Sequence, residues 1–326
     1  MAFGDFYDIC NNAALPLCAV IANSARYNNM TQGILPMCYA RNVDLANTII
    51  FQIGNAFIHF GAIIVLLIII FNVRAKYTAI ARNEMLFFFY SYIALTLTSL
   101  IVDCGVAAPG STTFLYFAAA QIGFAGSCCW SLMFSGFLGF QLWEDGTKRS
   151  MWLMWISSFG IFALNFIMAV VTFNHFAGTT VNRSHTMGLF IVMYVLNAVF
   201  IFIYLICQIC LAVFSLGNLW ALGAIGLAAF FLIAGQVLVY VFNKTICEKV
   251  DHYIDALFFG TTCNLFAVMM IYKFWDVITS EDTEFSVSPV KNPQTPEPPP
   301  SSLMFRTKSL TTATNNAELS MGTPPR

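Results

Sequence analysis

Ile49–Phe71 reads IIFQIGNAFIHFGAIIVLLIIIF and contains no Lys, Arg, Asp or Glu. At about 1.5 Å per residue, a helix of that length covers the roughly 30 Å hydrocarbon core of a bilayer. A helix in water needs a polar stripe along its length, and here the polar side chains are only Gln52, Asn55 and His59. The stretch is a membrane span, which makes lipid the solvent in which the rest of the chain has to be read.

Six more stretches of the same kind follow: Met85–Ala107, Phe114–Leu142, Met151–Phe173, Met187–Ser215, Trp220–Phe242 and Tyr253–Trp275. The gaps between them are short and polar, as at Asn72–Glu84, Trp143–Ser150 and Leu216–Leu219. Lipid tolerates no unpaired backbone, so helices joined this tightly must be antiparallel neighbours. The expected fold is an all-α up-and-down bundle of seven transmembrane helices. It divides the chain into an N-terminal segment, 1–48, the bundle, 49–275, and a tail, 276–326.

Whole-chain composition agrees. Of 326 residues, 59% are hydrophobic and 10% charged, and 33 are Phe; the mean hydropathy is +0.74. A soluble domain carries about a quarter charged residues, so a soluble enzyme is excluded. A net charge of −1 leaves no basic face for a phosphate backbone and argues against nucleic acid as a partner.

Seven spans put the two termini on opposite sides, and Lys and Arg mark the cytosolic one. Arg74, Lys76, Arg82, Lys148, Arg149, Lys273, Lys291, Arg306, Lys308 and Arg326 fall on the side of the C-terminus, against Arg26, Arg41, Arg183, Lys244 and Lys249 on the other. The N-terminus is therefore expected to be lumenal and the C-terminus cytosolic. Candidate N-glycosylation sequons at Asn29, Asn182 and Asn243 all fall on the expected lumenal side, although Asn243 sits against the membrane. So do Cys10, Cys18, Cys38 and Cys247; an oxidising lumen allows two disulfides among them, in any of three pairings. No leader pattern precedes the first span, which is expected to act as its own insertion signal.

Residues 1–48 carry aromatics, three of these cysteines and an apolar run, Ala13–Ala22, too short to cross the bilayer. They are expected to form a compact lumenal cap or an interfacial segment. The tail is rich in Ser, Thr and Pro, as in Lys291-Asn292-Pro293-Gln294-Thr295-Pro296, and is expected to be disordered. It offers polyproline or phosphorylation signals to vesicle-sorting machinery, or serves only as a solubilising end.

Catalytic chemistry is not apparent. Ionisable residues within the spans are His59, Asp103 and Asp255, the two acids lying near the lumenal helix ends, where they are expected to reach the interface. His59 and the amides Gln52, Asn55, Gln121, Asn165, Asn197, Gln208, Gln236 and Asn264 read as interhelical hydrogen-bonding glue. Cys207-Gln208-Ile209-Cys210 has C-x-x-C spacing, but no cation lies near to lower a thiol pKa. That pattern and Cys128-Cys129 read as packing residues. His175 and His185 share a loop without zinc-site partners. No phosphate loop, H-E-x-x-H or G-x-S-x-G occurs. No catalytic residue, metal or cofactor is expected.

One packing signal stands out. Ala119, Gly123, Ser127, Ser131, Ser135 and Gly139 recur every four residues along the third span. Such a small-residue seam lets helix backbones approach closely, and its drift of about 40° per step lets it serve more than one neighbour. It marks the third helix as the centre of the bundle or as a groove for a partner's helix.

Phe3-Gly4-Asp5-Phe6, then Ile9-Cys10 and Leu15-Pro16-Leu17-Cys18, precede the seven spans, and Trp143-Glu144-Asp145-Gly146-Thr147 follows the third. Together they resemble the fungal chitin synthase export chaperones, over everything up to about Trp275. The resemblance implies a non-enzymatic multi-pass protein of the endoplasmic reticulum membrane. Its partner would be a chitin synthase, which it would help to fold and to leave that compartment, supporting chitin deposition in the cell wall. The synthase's own Q-x-x-R-W type of motif is not found. The alternative from another class is a seven-helix receptor or small-solute transporter with a pocket around His59 and the central amides.

Overall fold

The computed structural model describes residues 4–21, 33–45, 48–50, 52–77, 79–140, 147–174, 183, 185–216 and 219–286. Seven helices are long and apolar enough to cross a membrane. They are α2 (Ile53–Ala75), α3 (Arg82–Asp103), α4 (Thr112–Leu138), α5 (Lys148–Asn174), a composite of α6 (Met187–Phe190) and α7 (Leu196–Cys210), α8 (Leu219–Tyr240) and α10 (Ala256–Ser286). The composite span carries π-helical segments at Ile191–Val195 and Leu211–Leu216. Ahead of α2 come α1 (Tyr7–Asn12), a 3-10 turn at Pro16–Ala19, and an antiparallel pair of short strands, β1 (Val43–Leu45) and β2 (Thr48–Ile50), with Val43 opposite Ile50. A short helix, α9 (Asn243–Lys249), links α8 to α10.

Helix ends depart from the hydropathy runs, each for a local reason. The first span begins at Ile53, because Ile49 and Ile50 belong to β2. The second ends at Asp103, not Ala107. Gly105 adopts φ +65°, its N–H donates to the Val102 carbonyl, and Val106 N–H reaches back to Ile101. This is a Schellman stop, which apolar composition does not reveal. Ser111 caps α4 by accepting the Phe114 N–H at 3.1 Å, and Thr147 caps α5 by accepting that of Ser150 at 3.3 Å. The last helix continues beyond Trp275, so residues 276–286, expected to open the tail, are helical. Tertiary contacts hold this extension: Lys76 pairs with the Asp276 carboxylate and lies 3.4 Å from Thr279 Oγ1, and Trp275 Nε1 donates to the Ile80 carbonyl at 3.0 Å. Residues 287–326 lie outside the described residues.

The centre of the bundle is α4, where 61% of the apolar window is buried, against 17–39% for the other six spans. It packs on α3, α5 and α7. Gly123 and Ser127 face α5, where Ser127 Oγ and Ser158 Oγ are 2.7 Å apart. Ala119 and Ser131 are fully buried, and Gly139 lies against Leu211. The seam is thus an internal surface, filled by the chain's own helices rather than left as a groove. The closest approach along α4 is at Gly126, beside the seam; Gly123, within it, comes next, where a Cβ would sit 2.8 Å from the Phe162 ring. A Cβ on Gly126 would sit 2.4 Å from Asn165 Nδ2, and one on Gly136 would sit 2.9 Å from the Tyr204 ring.

Asn165 is wholly buried and held by a 2.9 Å bond to the Ile161 carbonyl, so it has little room to yield. Gly126→Val is therefore expected to cost about 1–3 kcal/mol, read as a lower melting midpoint in nanodiscs. Gly160→Ala is expected to change stability by less than about 1 kcal/mol, because open space surrounds Gly160.

Candidate functional site

The N-terminal segment folds onto one end of the bundle. Phe6 is fully buried and meets Phe190 and Tyr194, both with ring centroids 5.8 Å away. With Cys10, Leu17, Cys18, Ile21 and Ile34 it joins a single apolar cluster that includes Val102, Phe114, Ala118, Phe173 and Leu189 of the spans. The cap therefore shares the core of the bundle. Local chemistry explains its motif. Gly4 has φ +86°, a Cβ there would lie 2.9 Å from Met187 Cα, and its carbonyl accepts the Thr186 hydroxyl at 3.0 Å. Asp5 Oδ1 accepts the Tyr7 N–H at 3.1 Å, at the start of α1. Phe3 lies outside the described residues.

Two disulfides fasten this cap. Cys10 pairs with Cys18 inside the segment, and Cys38 with Cys247 across 209 residues of chain, onto α9. His252 Nδ1 lies 3.3 Å from Cys38 Sγ and 3.5 Å from Cys247 Sγ. Those three could hold a metal by proximity, but sulfurs bonded to each other are not thiolate ligands. Asn243 ties three segments together: its Nδ2 donates to the Asn12 carbonyl at 2.6 Å and to that of Cys38 at 3.2 Å, while its Oδ1 accepts the Ala256 N–H at 3.0 Å. At 2% exposure its side chain has no room for a glycan. Asn29 and Asn182 lie outside the described residues.

Under the cap lies a buried polar network. Asn55 Nδ2 donates to Asp103 Oδ2 at 2.6 Å, and His59 Nε2 stands 3.2 Å from the same oxygen. Thr261 Oγ1 donates to Asn55 Oδ1, and Gln121 Nε2 to Ser99 Oγ at 2.9 Å. Asp103 is 3% and Asp255 2% exposed, so neither reaches the interface, contrary to the sequence expectation. The helix ends are open in sequence but covered in the fold. Asp255 precedes α10 by one residue. Burial pushes its carboxyl up to about 6, and the Asp103 charge adds to the rise, although the Phe258 and Leu257 N–H groups favour the ionised form.

Other candidates stay apart. Cys128, Cys129, Cys207 and Cys210 are free thiols within the spans. His185 is exposed, while His175 and residues 143–146 lie outside the described residues. Sequence reasoning missed Asp103 as the hub of the network. The available signal was the spacing of Gln52, Asn55 and His59, which puts three polar groups on one helix face. It also missed Glu84, fully buried at the other end of the bundle, where it accepts the Ser150 hydroxyl at 3.3 Å.

A capped seven-helix bundle could suit several roles, and kinship decides among them. The family model described as "Chitin synthase export chaperone" matches residues 2–289. This chain belongs to the chitin synthase export chaperone family. The relative of that description in Candida albicans is 57% identical over 293 residues, covering 90% of this chain and 94% of the relative. Those in Debaryomyces hansenii and Saccharomyces cerevisiae are 54% and 49% identical over 292 and 308 residues, covering 94% and 97% of their lengths. No solved structure matches. The family is described as an export chaperone rather than as an enzyme, and its match spans the cap, all seven membrane-capable helices and the described part of α10.

Proposed function

We propose that this chain is a membrane chaperone and export factor of the endoplasmic reticulum, which assists a chitin synthase to fold and to leave that compartment. Family membership carries the proposal, since the match and the relatives bearing that name cover nearly the whole folded chain. It also favours this role over a receptor or small-solute transporter.

The proposed orientation puts the cap in the lumen and the C-terminus in the cytosol. Support comes from the two cysteine pairs at the capped end, which suit an oxidising compartment, and from the excess of Lys and Arg on the other side. In this reading, the Pro/Ser/Thr tail lies within reach of cytosolic sorting machinery. The α4 seam is filled by the chain's own helices, so a client would be met on outer helix faces.

The full-length chain, extracted in mild detergent from cells that make a chitin synthase, is expected to co-purify with it. Recovery of the synthase at the level of an unrelated membrane protein would contradict the proposal.

A further inference from the structure

The interior of the bundle holds a cavity of about 390 Å³, within the range of small-molecule sites. Its lining runs on α3 from Asp103 to Phe88 and on α10 from Leu257 to Ile271, about 20 Å of helix in each case. Polar groups crowd the capped end, where Asn55, His59, Asp103, Gln121 and Thr261 face it; further in, the walls are mostly apolar. Leu15, Pro16 and Leu17 of the cap border this polar end. Leu15, Pro16 and Asp103 also border an outer cleft of about 610 Å³, so the 3-10 turn stands between the two spaces.

Size excludes one class of occupant. A transmembrane helix, 10–12 Å across and about 30 Å long, fills on the order of 2,400 Å³, so a client helix does not enter. A slot with a polar mouth and an apolar shaft instead suits one aliphatic chain with a compact head. Charge narrows the head further. Among the described residues, the lining contains a carboxylate but no Lys or Arg, and a phosphate or carboxylate head buried beside Asp103 would be unpaired and repelled. The available acceptors include Asp103 and Asn264 Oδ1, a buried oxygen without a hydrogen-bond partner. They suit a head that donates.

We infer that this cavity binds a single-chain amphiphile whose head carries hydroxyl or ammonium donors and no negative charge, with the head at Asp103 and the chain along α3 and α10. The inference rests on the cavity and does not depend on the export role.

The test uses the full-length protein in phosphatidylcholine nanodiscs, free of alkyl detergent. Sphinganine (a long-chain amino-diol), monooleoylglycerol (neutral) and lysophosphatidic acid (anionic) are added separately while thermal unfolding is followed. A response to sphinganine or monooleoylglycerol is expected, saturating at a rise of about 3–6 °C in the midpoint, with no response to lysophosphatidic acid. Sphinganine alone would identify an amine source, and monooleoylglycerol a neutral one. Ala125→Phe, which fills the cavity from α4, is expected to remove the response. Asp103→Asn is expected to remove the sphinganine response and spare that of monooleoylglycerol. Equal shifts with all three lipids, no shift with any, or shifts that persist in Ala125→Phe would overturn the site. Should Ala125→Phe not fold, native mass spectrometry of the unmodified protein decides: one saturable adduct supports the site, and unsaturable multiple adducts overturn it.

Discussion

Replacing Cys38 or Cys247 by Ser is expected to cost about 2–5 kcal/mol. The bond between them closes a loop of 209 residues. In the chain-entropy description, closure of that size contributes roughly 5 kcal/mol, about twice the contribution of a bond spanning 8 residues such as Cys10–Cys18. The spans between the two cysteines stay inserted in the bilayer when the cap detaches, which restricts the open state and lowers the figure. The loss should appear as a melting transition of the cap at lower temperature, and as new protease cleavage within residues 33–45. Cys38→Ser, Cys247→Ser and the double variant should be alike, since each removes the same bond. Additive losses would mean that the two cysteines act independently.

Asn243→Gln is expected to cost about 2–5 kcal/mol, because it frees the buried Ala256 N–H and the buried Cys38 carbonyl, each orphaned group costing about 1–3 kcal/mol. Gln carries the same amide one methylene further out, so it cannot restore the three bonds that Asn243 makes with Asn12, Cys38 and Ala256. Thr245 is exposed, and Thr245→Ala, which destroys the same sequon, is expected to stay within about 0.5 kcal/mol of the unmodified protein. This pair of variants separates a structural amide from a glycosylated one. If a glycan at Asn243 mattered, both substitutions would have the same effect, and endoglycosidase would shift a chain in which Asn29 and Asn182 had been replaced.

The seven spans were legible in the sequence because about twenty apolar residues in a row is a signal that lipid itself demands. Their ends were not, because they depend on features hydropathy does not carry. The Schellman turn at Gly105 stops α3 short of Ala107, and the contacts of Lys76 and Trp275 carry α10 past the apolar run. The third helix was legible as central through its small residues, Gly123 among them, whereas Gly126, which makes its tightest approach, lies off the four-residue stripe. Four cysteines stood out as candidates, but three pairings are equivalent in sequence, and only the folding of the cap brings Cys38 to Cys247. The polar network was hidden for a related reason. Asp103 looked like a residue at a wet helix end, and what buries it is the N-terminal segment, whose place over the bundle no local pattern encodes. The link to a chitin synthase came from the N-terminal motif and from kinship, and nothing in the hydropathy pattern pointed to it.

The most direct test of the account is the fraction of a chitin synthase that reaches the cell surface when this chain is deleted, measured by surface labelling against total synthase. The account predicts that the synthase accumulates in the endoplasmic reticulum, that its surface fraction falls several-fold or more, and that re-expression of the full-length chain restores it. A surface fraction unchanged by the deletion would contradict it.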